Sequence, residues 1–203
     1  MTLLENGLPD TIDGVPIYAD FRNMIRFEQI LDDGELDDVQ KAVLGIQQLF
    51  DKLPPGGAAR AAEHLKWFYL RGEESSDTSR RTASSPRAYD LTEDAACIYA
   101  SFLQAYRIDL TSISFLHWWA FLALLENLPD GTPMAQKMQL RTMDLKTIKD
   151  TKLREKYRKM QAAVALPAKT AARGKTAESL AERVKRRPQE ARKALEGGKL
   201  HGV

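Results

Sequence analysis

The stretch between residues 92 and 127 constrains the fold of this chain more than any other part of its sequence. Its first half, residues 92–106, places apolar side chains at every third or fourth position, which is the spacing of one face of an α-helix. These side chains are Ala95, Ile98, Tyr99, Phe102, Leu103 and Tyr106. Its second half, residues 112–127, is apolar nearly all the way round, so a helix there has to be enclosed by other helices. The two halves together predict the core of an all-α bundle.

Helical spacing recurs before this core in three segments, which predict a first, a second and a third helix. The apolar residues of the three segments are Phe21, Met24, Ile25 and Leu31; Val39, Ala42, Val43, Ile46, Leu49 and Phe50; and Ala61, Leu65, Phe68 and Tyr69. After the core, Thr132-Pro133 is a typical helix start. A last, basic amphipathic helix is predicted by Leu153, Tyr157, Met160 and Val164. We therefore expect a compact bundle of about six to eight helices.

Three shorter segments complete the predicted organisation. Asp13-Gly14, between Ile12 and Val15, is a tight-turn signal that predicts a short N-terminal β-ribbon. Residues 72–88 contain almost no apolar side chains to bury, so we expect a flexible loop inside a helical domain that spans residues 1–166. Residues 167–203 are rich in Ala, Lys, Arg and Gly, and we expect a loosely attached tail that is partly helical or disordered.

Charge is distributed very unevenly along the 203 residues, although the formal net charge is only +2. Residues 1–150 carry 15 Lys+Arg and 23 Asp+Glu, a net charge of −8, whereas residues 151–203 carry 15 and 5, a net charge of +10. The body is therefore acidic and the tail basic, which favours association with oppositely charged partners. The longest apolar segment falls short of the roughly 20 residues that span a bilayer, so we expect no membrane insertion.

The sequence lacks the residue patterns that most enzymes and metalloproteins require. Cys97 is the single cysteine, which excludes an internal disulfide and a cysteine-based zinc site. The three histidines, His64, His117 and His201, are far apart in the sequence, and no nucleophile elbow or zinc-protease motif occurs. We therefore expect no catalytic residue, no cofactor and no metal.

Two groups of residues are candidates for contacting a partner. Lys185-Arg186-Arg187 in the tail can bind phosphates or an acidic protein surface, but no aromatic side chain follows Tyr157 to stack on bases. The sequence therefore argues against nucleic acid. Trp118 and Trp119 beside His117 either form part of the core or present an exposed aromatic pair to a partner.

Residues throughout this chain resemble the bacteriophage Gp-fifteen family of small siphophage proteins. The stretch with the fairly specific His-Trp-Trp cluster consists of Tyr89-Asp90, Ile98-Tyr99-Ala100-Ser101-Phe102, Tyr106, Ile108-Asp109-Leu110, Leu116-His117-Trp118-Trp119, Phe121, Leu124 and Leu128-Pro129. Further matching positions are Leu8-Pro9, Asp20-Phe21-Arg22, Trp67-Phe68, Arg141, Asp144-Leu145, Ile148-Lys149-Asp150 and Tyr157. The resemblance covers about residues 8–166. The flexible loop at residues 72–88, which is rich in Ser, and the basic tail at residues 167–203 depart from the family pattern.

This resemblance implies a role in phage tail morphogenesis, because family members look like products of the gene region beside the tape-measure gene. We expect a noncatalytic tail-assembly chaperone or adaptor that binds the tape-measure protein, tail-tube protein, or both. Alternatives are a structural component retained in the mature tail, or a nucleic-acid-binding module that uses the basic tail. The expected location is the host cytoplasm during assembly, or else the virion tail. Self-association into a homo-oligomer also stays open.

Overall fold

A computed structural model describes residues 7–72 and 87–167, which form a two-stranded ribbon, seven α-helices and one short 3-10 helix. The ribbon pairs β1 (Thr11–Ile12) with β2 (Val15–Pro16). The helices are α1 (Phe21–Asp32), α2 (Asp38–Leu49), α3 (Gly57–Tyr69), α4 (Ala95–Tyr106), α5 (Trp118–Glu126), α6 (Pro133–Thr142) and α7 (Thr151–Ala163), with the 3-10 helix at Leu145–Thr147. The predicted all-α bundle with a short N-terminal ribbon is confirmed.

The ribbon forms because its two turn residues tolerate left-handed backbone. Asp13 has a φ of 50° and Gly14 a φ of 78°, the signs that a tight two-residue hairpin requires. The Asp13 carboxylate also lies 2.7 Å from Nε2 of His64 on α3, which holds the turn against the helical body. This contact lowers the pKa of Asp13.

The first three helices pack in sequence order, α1 against α2 and α2 against α3. Asp20 and Asp37 cap the N-termini of α1 and α2 through their side chains, and Gln40 completes a capping box with Asp37. Gly45 lies where α2 crosses its neighbours, and a Cβ built there meets the Phe27 ring at 2.7 Å. A glycine at this position therefore allows the helices to approach closely.

Helix α5 begins later than the sequence indicates. The predicted helix starts near Thr111 or Ser112, but the chain stays non-helical to His117, which caps α5. The amide of Phe21 donates to the Leu116 carbonyl, and the amide of Trp118 donates to the carbonyl of Ala19. These two hydrogen bonds pair residues 116–118 with the segment before α1, so the backbone groups there have extended-chain partners instead of helical ones.

A stack of aromatic rings connects the N-terminal helices to the central ones. Trp118 stacks on Tyr69 and on Phe121, and Phe121 in turn stacks on Phe21 at 4.7 Å and on Phe102 at 5.2 Å. Except for Tyr69, all these rings are buried. Burial of large rings supplies much of the stability of such a core, which here is shared by four helices.

Several side chains that were predicted to lie on apolar helix faces are exposed. Leu31 on α1 is 42% exposed, and Val39 and Val43 on α2 are 73% and 48% exposed. Phe27, which lies on the same face of α1 three positions after Met24, is buried, whereas Leu31 is not. Helix α7 forms as predicted, yet none of its 13 residues is buried. Among the described residues, no helix is both long enough and apolar enough to cross a membrane.

Candidate docking surface

Trp118 and Trp119 lie in the core, with 1% and 5% of their surface exposed. Nε1 of Trp118 donates to the carbonyl of Tyr69, and Nε1 of Trp119 donates to the carbonyl of Phe68 at 2.7 Å. The two indoles therefore tie α5 to the C-terminal end of α3. In this fold they present no surface to a partner, and the core interpretation accounts for them. The other candidates, Lys185, Arg186 and Arg187, lie outside the described residues.

His117 has a structural role that depends on one tautomer. Its Nδ1 accepts a hydrogen bond from the amide of Trp119, so its Nε2 carries the proton and donates to the carbonyl of Pro9 at 3.0 Å. Burial lowers the pKa of His117, and the Pro9 carbonyl opposes this shift only in part. The ring is thus a neutral helix cap, with neither nitrogen available for chemistry.

A buried ion pair, Asp94 with Arg141, joins the start of α4 to α6. Asp94 and Arg141 are 1% and 6% exposed, and Nη2 of Arg141 donates to Oδ1 of Asp94 at 2.9 Å. Lys137 and the amide of Asp90 also donate to this carboxylate. Burial alone raises the pKa of Asp94, but the hydrogen bonds that it accepts lower the value to about 2.

Arg141 also connects this ion pair to the end of the described chain. Its Nε donates to the carbonyl of Val164, just beyond α7, and its Nη1 donates to the carbonyl of Ala88. Every buried side-chain nitrogen and oxygen of the described residues has a hydrogen-bond partner. The ion pair of Asp94 and Arg141 therefore has a structural role. Its buried polar atoms are all hydrogen-bonded, so it lacks the unsatisfied donors or acceptors of a ligand site.

An open groove between α1, α2 and α3 is a candidate surface for binding another chain. Its volume is about 520 Å³, and its walls are largely apolar. The lining residues are Phe27, Leu31, Asp38, Lys41, Ala42, Ala62, Leu65, Lys66, Tyr69 and Leu70. Grooves of this kind, walled by parallel or antiparallel helices, accept the apolar face of an additional helix.

Hydrogen bonds fix the walls of this groove. The hydroxyl of Tyr69 donates to Glu28 at 2.7 Å, and its ring meets Phe27 edge to face. Burial, together with the nearby Glu28 carboxylate, raises the pKa of Tyr69, so the phenol stays protonated. On the opposite wall, Nζ of Lys41 donates to the carbonyl of Leu31. These contacts link α1 to α3 and α1 to α2, the helices that wall the groove.

The groove is lined by charged side chains of both signs. Asp38, the first residue of α2, lines it together with Lys41 and Lys66. Asp33, Glu35 and Asp37, in the loop before α2, are also exposed. The apolar walls are therefore the main feature that this surface offers to a partner.

The groove was not predicted from the sequence. The runs Asp32-Asp33-Gly34-Glu35 and Asp37-Asp38 are visible there, but they are typical of a solvated connection between helices and do not indicate a groove. The available signal was that the apolar residues of α1 and α2 cover more of each helix than one contact can bury. Among the described residues, no cluster of His, Cys, Asp and Glu is arranged to hold a metal ion.

The described residues form a helical bundle with an apolar groove between its first three helices. The family model described as Bacteriophage Gp15 protein matches residues 11–166. The chain therefore belongs to this family, as its sequence resemblance predicted. Membership makes it a structural or assembly protein of bacteriophages, in a family that is not known for enzymatic activity. Comparison with curated proteins and with solved structures gave no significant match.

Proposed function

We propose that this protein is a noncatalytic adaptor or chaperone of phage tail assembly, acting in the infected host cell. The observation that supports the proposal is the apolar groove between α1, α2 and α3 in a member of a phage structural family. A groove of this shape holds a helix and shields its apolar face from water. That is the task of an assembly chaperone, because a helical phage protein exposes such faces before its partners have assembled.

The tape-measure protein is the proposed partner. A long helical chain exposes an apolar stripe along its length until the tail tube surrounds it, and a soluble helical protein can cover part of that stripe. Tail-tube protein is a second possible partner of the same surface.

Co-expression with the tape-measure and tail-tube proteins of the same phage tests this function. We expect this chain to form a complex that survives nuclease treatment and raises the soluble fraction of its partner. Ala42 lines the groove yet is exposed, so Ala42→Glu adds a bulky charge there without disturbing the core, and we expect it to abolish the complex. Gln47→Glu adds the same charge at an exposed position of α2 outside the groove and is the matched control.

The outcomes separate the candidate functions. Failure of the chain to bind or solubilise either partner contradicts the proposal. Recovery of the chain at fixed stoichiometry in purified virions indicates a structural component retained in the mature tail. Recovery of nucleic acid alone, lost at high salt and after removal of residues 168–203, assigns the function to the basic tail instead, because such binding depends on counterion release.

A further inference from the structure

Helix α7 carries three lysines on one face, which we call the lysine row. Lys152, Lys156 and Lys159 are spaced by four and three positions, so they lie on the same side of an α-helix, and all three are exposed. At a rise of about 1.5 Å per residue, the lysine row is about 10 Å long. It therefore forms a strip of positive charge on the surface of the protein.

The lysine row has no partner within the part of the chain that the structure describes. None of its three ammonium groups donates a hydrogen bond or forms an ion pair there. Glu155 is the single carboxylate of α7, and it pairs with Arg158 at 2.9 Å, although Lys159 is close enough to influence its charge. The lysine row is thus free to bind a partner that carries negative charge.

The positive charge around α7 contrasts with the charge of the preceding chain. Residues 146–159 carry 7 Lys+Arg and 2 Asp+Glu, a net charge of +5, whereas residues 1–145 carry 13 and 22, a net charge of −9. The positive charge continues through residues 160–203, which carry 10 and 4. A polyanion is therefore attracted to the region of α7 and repelled by the acidic body, which orients it on the protein.

Two kinds of polyanion carry the charge that the lysine row requires, an acidic polypeptide and the phosphate backbone of a nucleic acid. An exposed Lys–carboxylate pair contributes little to binding, because water and salt screen both charges. A phosphate of a duplex contributes more, because each contact releases a condensed counterion, which strengthens binding roughly eightfold at about 0.1 M salt. The exposed lysine row is therefore better suited to a duplex than to an acidic polypeptide.

The lack of aromatic side chains after Tyr157 is consistent with a duplex as the partner. Proteins bind single strands by stacking aromatic side chains on the bases, so this lack argues against a single strand. The bases of a duplex are already stacked on one another, and contact with its phosphates needs only positive charge and hydrogen-bond donors.

We propose that the lysine row binds the phosphate backbone of double-stranded nucleic acid. This activity goes beyond the proposed function in tail assembly, and it uses a surface other than the groove between α1, α2 and α3. Contacts with phosphates carry no sequence information, so binding is independent of the base sequence. Its affinity falls steeply as the salt concentration rises.

Fluorescence anisotropy of the full chain tests the inference, with labelled duplexes of about 20 base pairs and salt from about 50 to about 200 mM. Duplex DNA and duplex RNA are assayed in parallel, and binding of either one supports the inference and identifies the source of the phosphates. The test variant combines Lys152→Gln, Lys156→Gln and Lys159→Gln, because Gln and Lys have similar helix propensities. We expect the slope of log K against log salt concentration to become less steep by about 1 per lysine, and the affinity at about 0.1 M salt to fall at least tenfold.

A control variant loses three positive charges from the acidic body. Arg26, Lys52 and Arg107 are exposed, and the combination of Arg26→Gln, Lys52→Gln and Arg107→Gln changes the net charge by the same amount as the test variant. We expect the control to keep the salt dependence of the unaltered chain. Circular dichroism shows whether both variants retain the helical content of the fold.

Four results would each overturn the inference. The first is a full chain that binds neither duplex at about 50 mM salt. The second is a test variant with the slope of the unaltered chain, and the third is a control that loses as much slope as the test variant. The fourth is displacement of the duplex by polyglutamate as effectively as by unlabelled duplex of equal charge, which would assign the lysine row to an acidic polypeptide. None of these results affects the co-expression experiment, which tests the groove.

Discussion

At the scale of single residues, the stability of the fold depends strongly on the buried carboxylate of Asp94. Arg141, Lys137 and the amide of Asp90 all direct their hydrogen atoms to it. Asp94→Asn removes the negative charge but keeps the shape of the side chain, which leaves the Arg141 charge buried without compensation. We expect the free energy of unfolding to fall by about 3–5 kcal/mol. Chemical denaturation monitored by circular dichroism measures this change.

The same carboxylate predicts how stability depends on pH. Because the pKa of Asp94 is lowered to about 2 in the folded chain, the unfolded chain binds its proton first as the pH falls. The contribution of Asp94 is therefore complete above about pH 4 and is lost between about pH 4 and pH 2. Asp94→Asn should remove this part of the profile. Glu93→Gln, at the exposed neighbouring position, is the control and should change stability by about 0.5 kcal/mol or less.

The sequence predicts the role of a residue only where its partners are close to it in the chain. Thr132 and Pro133 were predicted to begin a helix, and the Thr132 hydroxyl does accept from the amide of Ala135. The capping bond from the amide of Trp119 to His117 was missed because the helix was predicted to begin near Thr111 or Ser112. The contact of His117 with Pro9 was not predictable, because the two residues lie 108 positions apart. Burial of Trp118 and Trp119 was one of two alternatives and the one that the sequence favoured, since a helix that is apolar nearly all round is typical of a core.

At the scale of elements, helix α4 was predicted at the bounds it has, because its apolar spacing is complete within twelve residues. Helix α5 was predicted about six residues too long. Apolar periodicity cannot distinguish a helix from an extended segment that is buried by pairing with another part of the chain. The segment before α1 provides that pairing, and it is distant in sequence.

The crossing of α1, α2 and α3 depends on Gly45. Gly45→Ala adds a methyl group 2.7 Å from the Phe27 ring and 3.0 Å from the Leu65 side chain, distances too short for packed carbon atoms. Although alanine favours helix by about 1 kcal/mol, we expect overpacking of about 1–3 kcal/mol to exceed this gain. Equilibrium unfolding should therefore show a less stable chain.

A control on the same helix separates packing from helix propensity. Gln47→Ala, at an exposed position two residues further on, should leave stability unchanged or raise it slightly. If Gly45→Ala were as stable as Gln47→Ala, the close approach of the three helices would not be required. Because the groove lies along this crossing, Gly45→Ala should also weaken the co-expression complex.

At the scale of the whole molecule, the family match ends at residue 166, close to the last described contact. Arg87 donates there to the carbonyl of Pro167. We expect the chain cut after residue 167 to melt within about 2 °C of the full chain, because the contacts described among residues 7–167 are retained. Differential scanning calorimetry makes this comparison. A large loss of stability would contradict the predicted division at residues 166–167.

A second cut provides the contrast. Ending the chain after Asp150 removes α7, so Arg141 loses the carbonyl of Val164 and the carbonyls at the end of α6 lose Gln161. We expect this shorter chain to melt at a clearly lower temperature.

The fold class and the family could be predicted from the sequence. The groove could not be predicted, because it arises only when three helices pack at particular angles.

The pairing of the segment before α1 with residues 116–118 also sets an order of events during synthesis. The amide of Leu116 donates to the carboxylate of Asp20 across 96 positions of the chain. Translation at about 5–20 residues per second separates the two partners by roughly 5 to 20 s. During that interval α1 can pack on α2 and α3, but the segment before α1 stays unpaired because residues 116–118 have not yet been synthesised. A nascent chain is therefore expected to close its N-terminal end only after Trp118 has left the exit tunnel.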